Sequence, residues 1–376
     1  TISFFCLFQF FLFSQQYDNT WLMGYAGGSQ TPNDTIFGIS VFDFTNKCKL
    51  QISNNQEIEM NFEDTHICMS DKEGNLLFYS NGIFLNNASH NQMENGDNIN
   101  VWETFGQDVP QGALVLPYPD NPDKYIFFHE VDTGVDGIGI AITALEYSII
   151  DMTSNNGLGA VILKKEPLIV DTLDYGKLTA VKHANGRDWW MVVQELNSNN
   201  YYRILVSPEG VEVVGNQTIG EEVETGFGGA VFSPDGNFYA KVDLVGGAWL
   251  PDFLNIYEFD RCTGLISNPL NNINLGAWAG AGGVAVSHNS RFLYVSHFNN
   301  IYQFDLWASD IIASQTTVAE YDGFEEPFPT RFYQMQLAPN GKIYVSIPSS
   351  VWYLHEIHNP NKQGLACNVT QHSLRL

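Results

Sequence analysis

The densest group of reactive side chains in this sequence is cationic. Lys177, Lys182, His183, Arg187 and Asp188 fall within twelve residues, in a chain with only 17 Lys and Arg against 42 Asp and Glu. Lys182 and His183, set at the mouth of a cavity, would hold an anionic or sugar ligand. As scaffold, Asn185-Gly186 makes a turn, Arg187 and Asp188 pair, and Trp189-Trp190 pack between neighbours. The scaffold reading is preferred, because ion pairs at turns are common structural features. His129, Lys182, His183 and Glu224 together would give an extracellular hydrolase or lactonase its acid–base groups, provided they converge on one point.

Metal chemistry has little support. His355 and His358 are three residues apart, which on a strand puts the rings on opposite faces. A zinc site needs three or four converging ligands. Glu221, Glu222 and Glu224 precede a glycine-rich segment and could offer carboxylates to Ca²⁺, but a solvated acidic loop is the simpler reading. No cofactor or metal is therefore expected. The six arginines, at 187, 203, 261, 291, 331 and 375, are too scattered for a sialidase-like carboxylate clamp. No nucleophile motif or glycine loop ahead of a helix occurs. Trp249, Trp278 and Trp307 are candidates to stack on sugars. The glycine runs 226–229 and 276–283 read as small residues that let inner strands crowd together.

The elements that must position these residues repeat along the chain. A turn followed by an aromatic, β-branched strand appears at 70–80 (SDKEGNLLFYS), 119–129, 183–193, 233–242 (SPDGNFYAKV), 287–296 and 338–347 (APNGKIYVSI). Three of the six turns carry Asp-Gly or Asn-Gly, the chemistry of two-residue hairpins. A further strand follows five of them: LEYSIIDM, YYRILVS, LNIYEFD, NIYQFDL and WYLHEIH. A period near 50 residues with several strands per unit predicts an all-β fold, a single β-propeller of four-stranded antiparallel blades. Seven blades fit residues 17–376 best, and six or eight also fit. The strands at 37–43 and 48–52 are expected to complete a blade begun at the C-terminus.

Composition limits the function classes. Charged residues make up 16% of the 376 and aromatics 14%, which argues for a packed domain against disorder. A formal charge of −25 argues against nucleic acid or anionic lipid as partner. Residues 3–13, SFFCLFQFFLF, are too short to span a membrane and read as the apolar part of a signal peptide over 1–16. No later segment is long and apolar enough to cross one, so a secreted or surface location and no membrane insertion are expected. Export would place Cys48, Cys68, Cys262 and Cys367 in an oxidising compartment, where one or two disulfides or buried free thiols are equally open.

Several strings make the chain resemble a family of secreted β-propellers from Bacteroidota. They include Asn75–Gly82 (NLLFYSNG), Met93–Asp97, 150–161 (IDMTSNNGLGAV), 180–190 (AVKHANGRDWW), 259–264 (FDRCTG), 290–296 and 338–344. The resemblance runs from Trp21 onward. The SPDG-type turns are more broadly similar to WD-like and TolB-like repeats. The family resemblance implies an exported propeller, often displayed on the outer-membrane surface of a Gram-negative bacterium through a C-terminal type IX sorting domain. It implies no catalytic activity, and a fold alone supplies none. The expectation is a non-catalytic binding module that recognises protein or glycan on one propeller face, with Lys182, His183 and the three tryptophans as candidate contacts. The alternative is the hydrolase or lactonase at the channel mouth.

Overall fold

The computed structural model describes residues 17–24, 38–46, 49–100, 106–135, 139–244, 251–277 and 282–376. They form seven antiparallel sheets in a ring. Blade 1 is β1 (Thr20–Met23), β2 (Ile39–Asp43) and β3 (Gln51–Asn55); blade 2 is β4 (Ile67–Ser70), β5 (Leu76–Ser80) and β6 (Leu85–Asn87). Blade 3 is β7 (Ala113–Pro117), β8 (Lys124–Val135), β9 (Gly139–Asp151) and β10 (Ala160–Leu173). Blade 4 is β11 (Ala180–Lys182), β12 (Trp189–Gln194), β13 (Asn200–Ser207) and β14 (Gly210–Thr218). Blade 5 is β15 (Phe227–Phe232), β16 (Phe238–Leu244), β17 (Pro251–Asp260) and β18 (Leu265–Ala277). Blade 6 is β19 (Gly282–Val286), β20 (Phe292–His297), β21 (Asn300–Asp305) and β22 (Thr316–Glu320), and blade 7 is β23 (Met335–Leu337), β24 (Ile343–Val345), β25 (Tyr353–Ile357) and β26 (Val369–Arg375).

Seven blades are present, with two departures from the expected pattern. Blades 1 and 2 have three strands each among the described residues, not four. The early strands β2 and β3 pair with β1 and not with a C-terminal strand, while β23–β26 make a complete sheet of their own. The six repeated turns are the hairpins joining the first and second strands of blades 2 to 7. They are longer than two residues. In blade 5, Ser233 N–H bonds Phe238 O, and Gly236, at φ 73°, donates back to Ser233 O. Asp235 accepts from Ser233 Oγ at 2.6 Å and from Asn237 N–H at 3.0 Å. Blade 6 builds the same cage from Ser287 and Asn289. In these two hairpins the Asp or Asn serves as a side-chain acceptor, and the residue after it, Gly236 or Ser290, takes positive φ.

Each sheet buries both faces against its neighbours, and one apolar cluster fills each of the seven interfaces. The first strands line a central channel, and glycines let them approach. A methyl group on Gly283 would lie 2.7 Å from Gln334 Cα, just ahead of the next first strand, while one on Gly228 would lie 2.0 Å from Val242 O on β16 of its own sheet. Loops ahead of the first strands meet on one face, called upper here. Gly112 N–H donates to Thr65 Oγ1, Leu178 N–H to Gln111 O, and Tyr333 Oη to Asp64 Oδ2. The repeated hairpins lie on the opposite, lower face.

A buried ionic square ties blades 3, 4 and 5 together. Lys241 Nζ lies 3.1 Å from Asp174 and 3.0 Å from Asp243, while Lys177 Nζ lies 2.9 Å and 3.3 Å from the same two carboxylates. Lys177 also donates to Gly226 O, and Asn255 donates to Asp243 at 2.8 Å. Burial opposes the charge on Lys241, but the two carboxylates outweigh it and raise its pKa. Burial likewise opposes the charge on Asp174, yet the two ammonium groups prevail and lower its pKa. Burial prevails at Asp243, whose pKa is raised despite the same two ammonium groups, so the square is tolerated only while its members stay together. Removing one member strands an opposite charge, at a cost of about 3–5 kcal/mol. Lys241→Met should therefore lower the unfolding free energy in urea by about that amount, and a loss below about 1 kcal/mol would show that the square does not hold the ring.

Candidate ligand site in the central channel

The channel contains a cavity of about 430 Å³ lined by residues of all seven blades. Its walls are mainly apolar, from residues such as Leu22, Ile67, Leu114, Val231, Val284 and Met335. Polar groups enter from the loops that precede the first strands: Asp64, Thr65, His66, Gln111 and Gln334, with Gln336 on β23. These loops converge because six first strands begin on the same face. Gln111 is pinned across the ring, donating to Ala230 O at 3.0 Å and accepting from Ala230 N–H at 2.7 Å. Thr65 Oγ1 donates to Val109 O at 2.6 Å.

Asp64 is the electrostatic centre of this end. Enclosure by protein pushes its pKa up to about 7; the hydrogen bond from Tyr333 works the other way, and the nearby charge of Asp108 adds to the rise. His66 is exposed onto the cavity, where the surrounding protein lowers its pKa. No Lys or Arg is among the described residues that line the cavity. At the rim, Tyr175 and Phe227 stack with ring centroids 5.4 Å apart, and Phe227 remains 40% exposed.

The residues singled out from sequence are spread over the molecule. Lys182 ends β11 on the lower face, where Nζ sits 3.6 Å over the Trp189 ring and donates to Arg187 O. His183 begins the adjoining hairpin, accepts from Asn185 N–H and stacks on Trp190. Arg187 and Asp188 pair at 2.7 Å, and the two indole N–H groups donate to Pro117 O and Arg261 O in the flanking blades. Lys177 belongs to the buried square instead. His129 is fully buried in blade 3, 3.3 Å from Glu146, and burial lowers its pKa. Glu224 is exposed in the loop before β15, on the upper face. Lys182 and His183 thus lie at the opposite end of the channel from Glu224, and His129 is closed to solvent. The four do not meet.

Trp307 is 60% exposed on the lower face, following β21, with the Arg291 guanidinium 5.6 Å from its ring. Trp249 and Trp278 lie outside the described residues, as do residues 1–16 and Cys48. Cys68, Cys262 and Cys367 are unpaired. His355 is buried with its pKa lowered to about 4, and His358 bonds Thr370. Among the described residues, no three His, Cys, Asp or Glu side chains gather as a metal site would. Glu221 and Glu222, like Glu224, are exposed.

No protein-family profile matches the chain, and no curated protein does. Solved structures do. A Bacteroides uniformis protein provisionally designated a 6-phosphogluconolactonase is 12% identical over 96% of this chain and 97% of its own, with a TM-score of 0.51. A Bacteroides fragilis protein with the same provisional designation is also 12% identical, over 96% of each chain, at 0.49. A Lactobacillus plantarum protein is 14% identical over 94% and 95%, at 0.49. At such identity the likeness is one of fold.

Asp64 gives a stability test. Its folded pKa is above the roughly 3.9 of an unfolded aspartate, so the folded chain binds the proton more tightly. Its contribution to stability is full below about pH 4 and is lost as pH rises toward about 7. Asp64→Asn removes that loss. The melting temperature of the variant minus that of the wild type should therefore grow between pH 5 and pH 8. A constant difference would show that Asp64 ionises like an exposed aspartate.

Proposed function

We propose that the protein is a non-catalytic, exported binding module whose upper channel mouth takes a small, uncharged, hydroxyl-rich ligand of the saccharide class. The observation that carries this reading is the cavity's composition. Apolar walls, with Trp21 and Tyr344 among them, surround amides, a hydroxyl, a neutral imidazole and one weakly acidic carboxyl, with no described cation. Cavities of roughly 300–1,000 Å³ hold small ligands in this way, with a few polar groups fixing orientation. The lack of Lys or Arg on the described walls speaks against a phosphorylated substrate, since phosphate recognition relies on such groups. Export rests on the apolar run at 3–13 and on the resemblance to secreted Bacteroidota propellers, surface display on the resemblance alone.

The alternative of a hydrolase or lactonase moves to other residues. Asp64, bonded to Tyr333 and close in sequence to His66 on the same cavity, offers acid–base groups among the described residues, and it replaces the separated set of His129, Lys182, His183 and Glu224. Thermal unfolding of residues 17–376 against soluble neutral saccharides, anionic sugars and sugar phosphates tests the proposal. A neutral saccharide at a hundredfold excess over its dissociation constant stabilises by about 2.7 kcal/mol, and Gln111→Ala should reduce the shift. A shift only with sugar phosphates would contradict the reading. Hydrolysis of an uncharged lactone that disappears in Asp64→Asn would favour the enzyme.

A further inference from the structure

The channel has a second chamber at its lower end. It holds about 290 Å³ and shares Trp21, Leu22, His66, Ile67, Leu114 and Gln336 with the cavity above. Pro117 ends β7 and Trp189 opens β12, which sets these walls at the hairpin face. Tyr17 and Asp18 join them just ahead of β1, where Tyr17 O accepts from Ser70 N–H at the end of β4. The aromatic residues Tyr17, Trp21 and Trp189 therefore meet the carboxylate of Asp18 on one chamber. Of these four, only Trp21 also borders the upper cavity.

Asp18 is exposed onto the chamber and accepts from Trp21 Nε1 at 2.7 Å. The Trp189 indole N–H is taken by Pro117 O at 3.2 Å. With both donors in use, what the two indoles can offer a ligand is ring surface. Enclosure pushes the Asp18 pKa up to about 7, against the hydrogen bonds from Trp21 and Gln336. No Lys or Arg is among the described wall residues to balance its charge. On the same face Lys124, Arg187 and Lys342 each have a carboxylate of their own. The Lys182 ammonium lies over the Trp189 ring and donates to Arg187 O. The lower opening is acidic as well: burial raises the Tyr17 pKa, and the charges of Glu73 and Asp71 add to the rise.

We propose that this chamber is a second ligand site, taking a small quaternary ammonium cation of the choline type. Aromatic rings beside a carboxylate attract such cations through the ring quadrupole and the full charge together. An anion would meet Asp18 with no wall cation to offset it. A primary ammonium brings N–H donors on every free valence, but Asp18 already accepts from Trp21 and Gln336. Donors left unpaired are costly, so a trimethylammonium group fits the chamber better. The inference is independent of the saccharide reading, which concerns the other end of the channel.

Calorimetric titration of the 376-residue chain tests this with choline, with ethanolamine, and with the alcohol in which a tert-butyl group replaces trimethylammonium. Choline should bind at least about tenfold more tightly than either. Because the cation selects ionised Asp18, binding at neutral pH should release about half a proton, read from the heats in two buffers. Asp18→Asn should weaken choline binding about tenfold and abolish the release, with its melting temperature reporting that it folds. Phosphatidylcholine vesicles separate the two sources of this group. Vesicle binding that choline displaces supports the site and assigns a lipid headgroup; choline binding without vesicle binding supports it and assigns a free solute. Equal binding of choline and the alcohol, choline binding without proton release, or Asp18→Asn binding choline like the wild type would each overturn the proposal. So would no choline binding at all, and stabilisation by neutral saccharides in that case would leave the upper site standing.

Discussion

A twisted sheet with two apolar faces has no exposed side to spare, and in this protein the only partners available are other sheets of the same kind. Seven such sheets satisfy one another only by closing into a ring, with each interface packed by one apolar cluster. Every other feature depends on that closure. Gly283 appears where first strands crowd at the centre, since a Cβ there would overlap the backbone at Gln334 ahead of β23. The buried lysine–aspartate square is acceptable because the loop between blades 3 and 4 and strand β16 of blade 5 bring its members together away from water. Among the described residues the two clusters that flank blade 1 are the smallest of the seven.

Closure also creates the candidate site. Six first strands begin on one face, so the short loops before them meet over the channel although they lie far apart in the chain. Asp64 and Tyr333 are 269 residues apart and share a hydrogen bond of 2.8 Å. The same enclosure that buries the blades raises the pKa of Asp64 and lowers that of His66. The described residues that line the cavity include no Lys or Arg, and on that observation an uncharged ligand is preferred to an anion.

The fold was readable in the sequence because six hairpins repeat, five of them with a Gly or Ser at positive φ in the turn and the sixth with Asp120 there. The departure of blade 1 was not, because that blade contributes no hairpin of this kind. Two-residue turns were expected from Asp-Gly and Asn-Gly, but the side-chain cage around Ser233 and Asp235 makes a longer loop from the same residues. The site was less legible. The cationic cluster at 177–188 was conspicuous in sequence, yet the chain crosses the whole channel between Lys177 and His183 and divides it between two faces. Asp64, His66 and Gln111 drew no notice, since their loops share no repeated motif. Their one signal is position, immediately ahead of the first strand of a blade.

The most direct test of the channel reading is to find where a bound neutral saccharide protects the protein from hydroxyl-radical labelling. The account predicts protection at His66, Tyr333 and Met335 around the upper channel, with Trp307 on the lower face labelled as before. Protection confined to Trp307, or to Lys182 and His183 at the lower hairpin, would contradict it and move the binding surface to the other face of the ring.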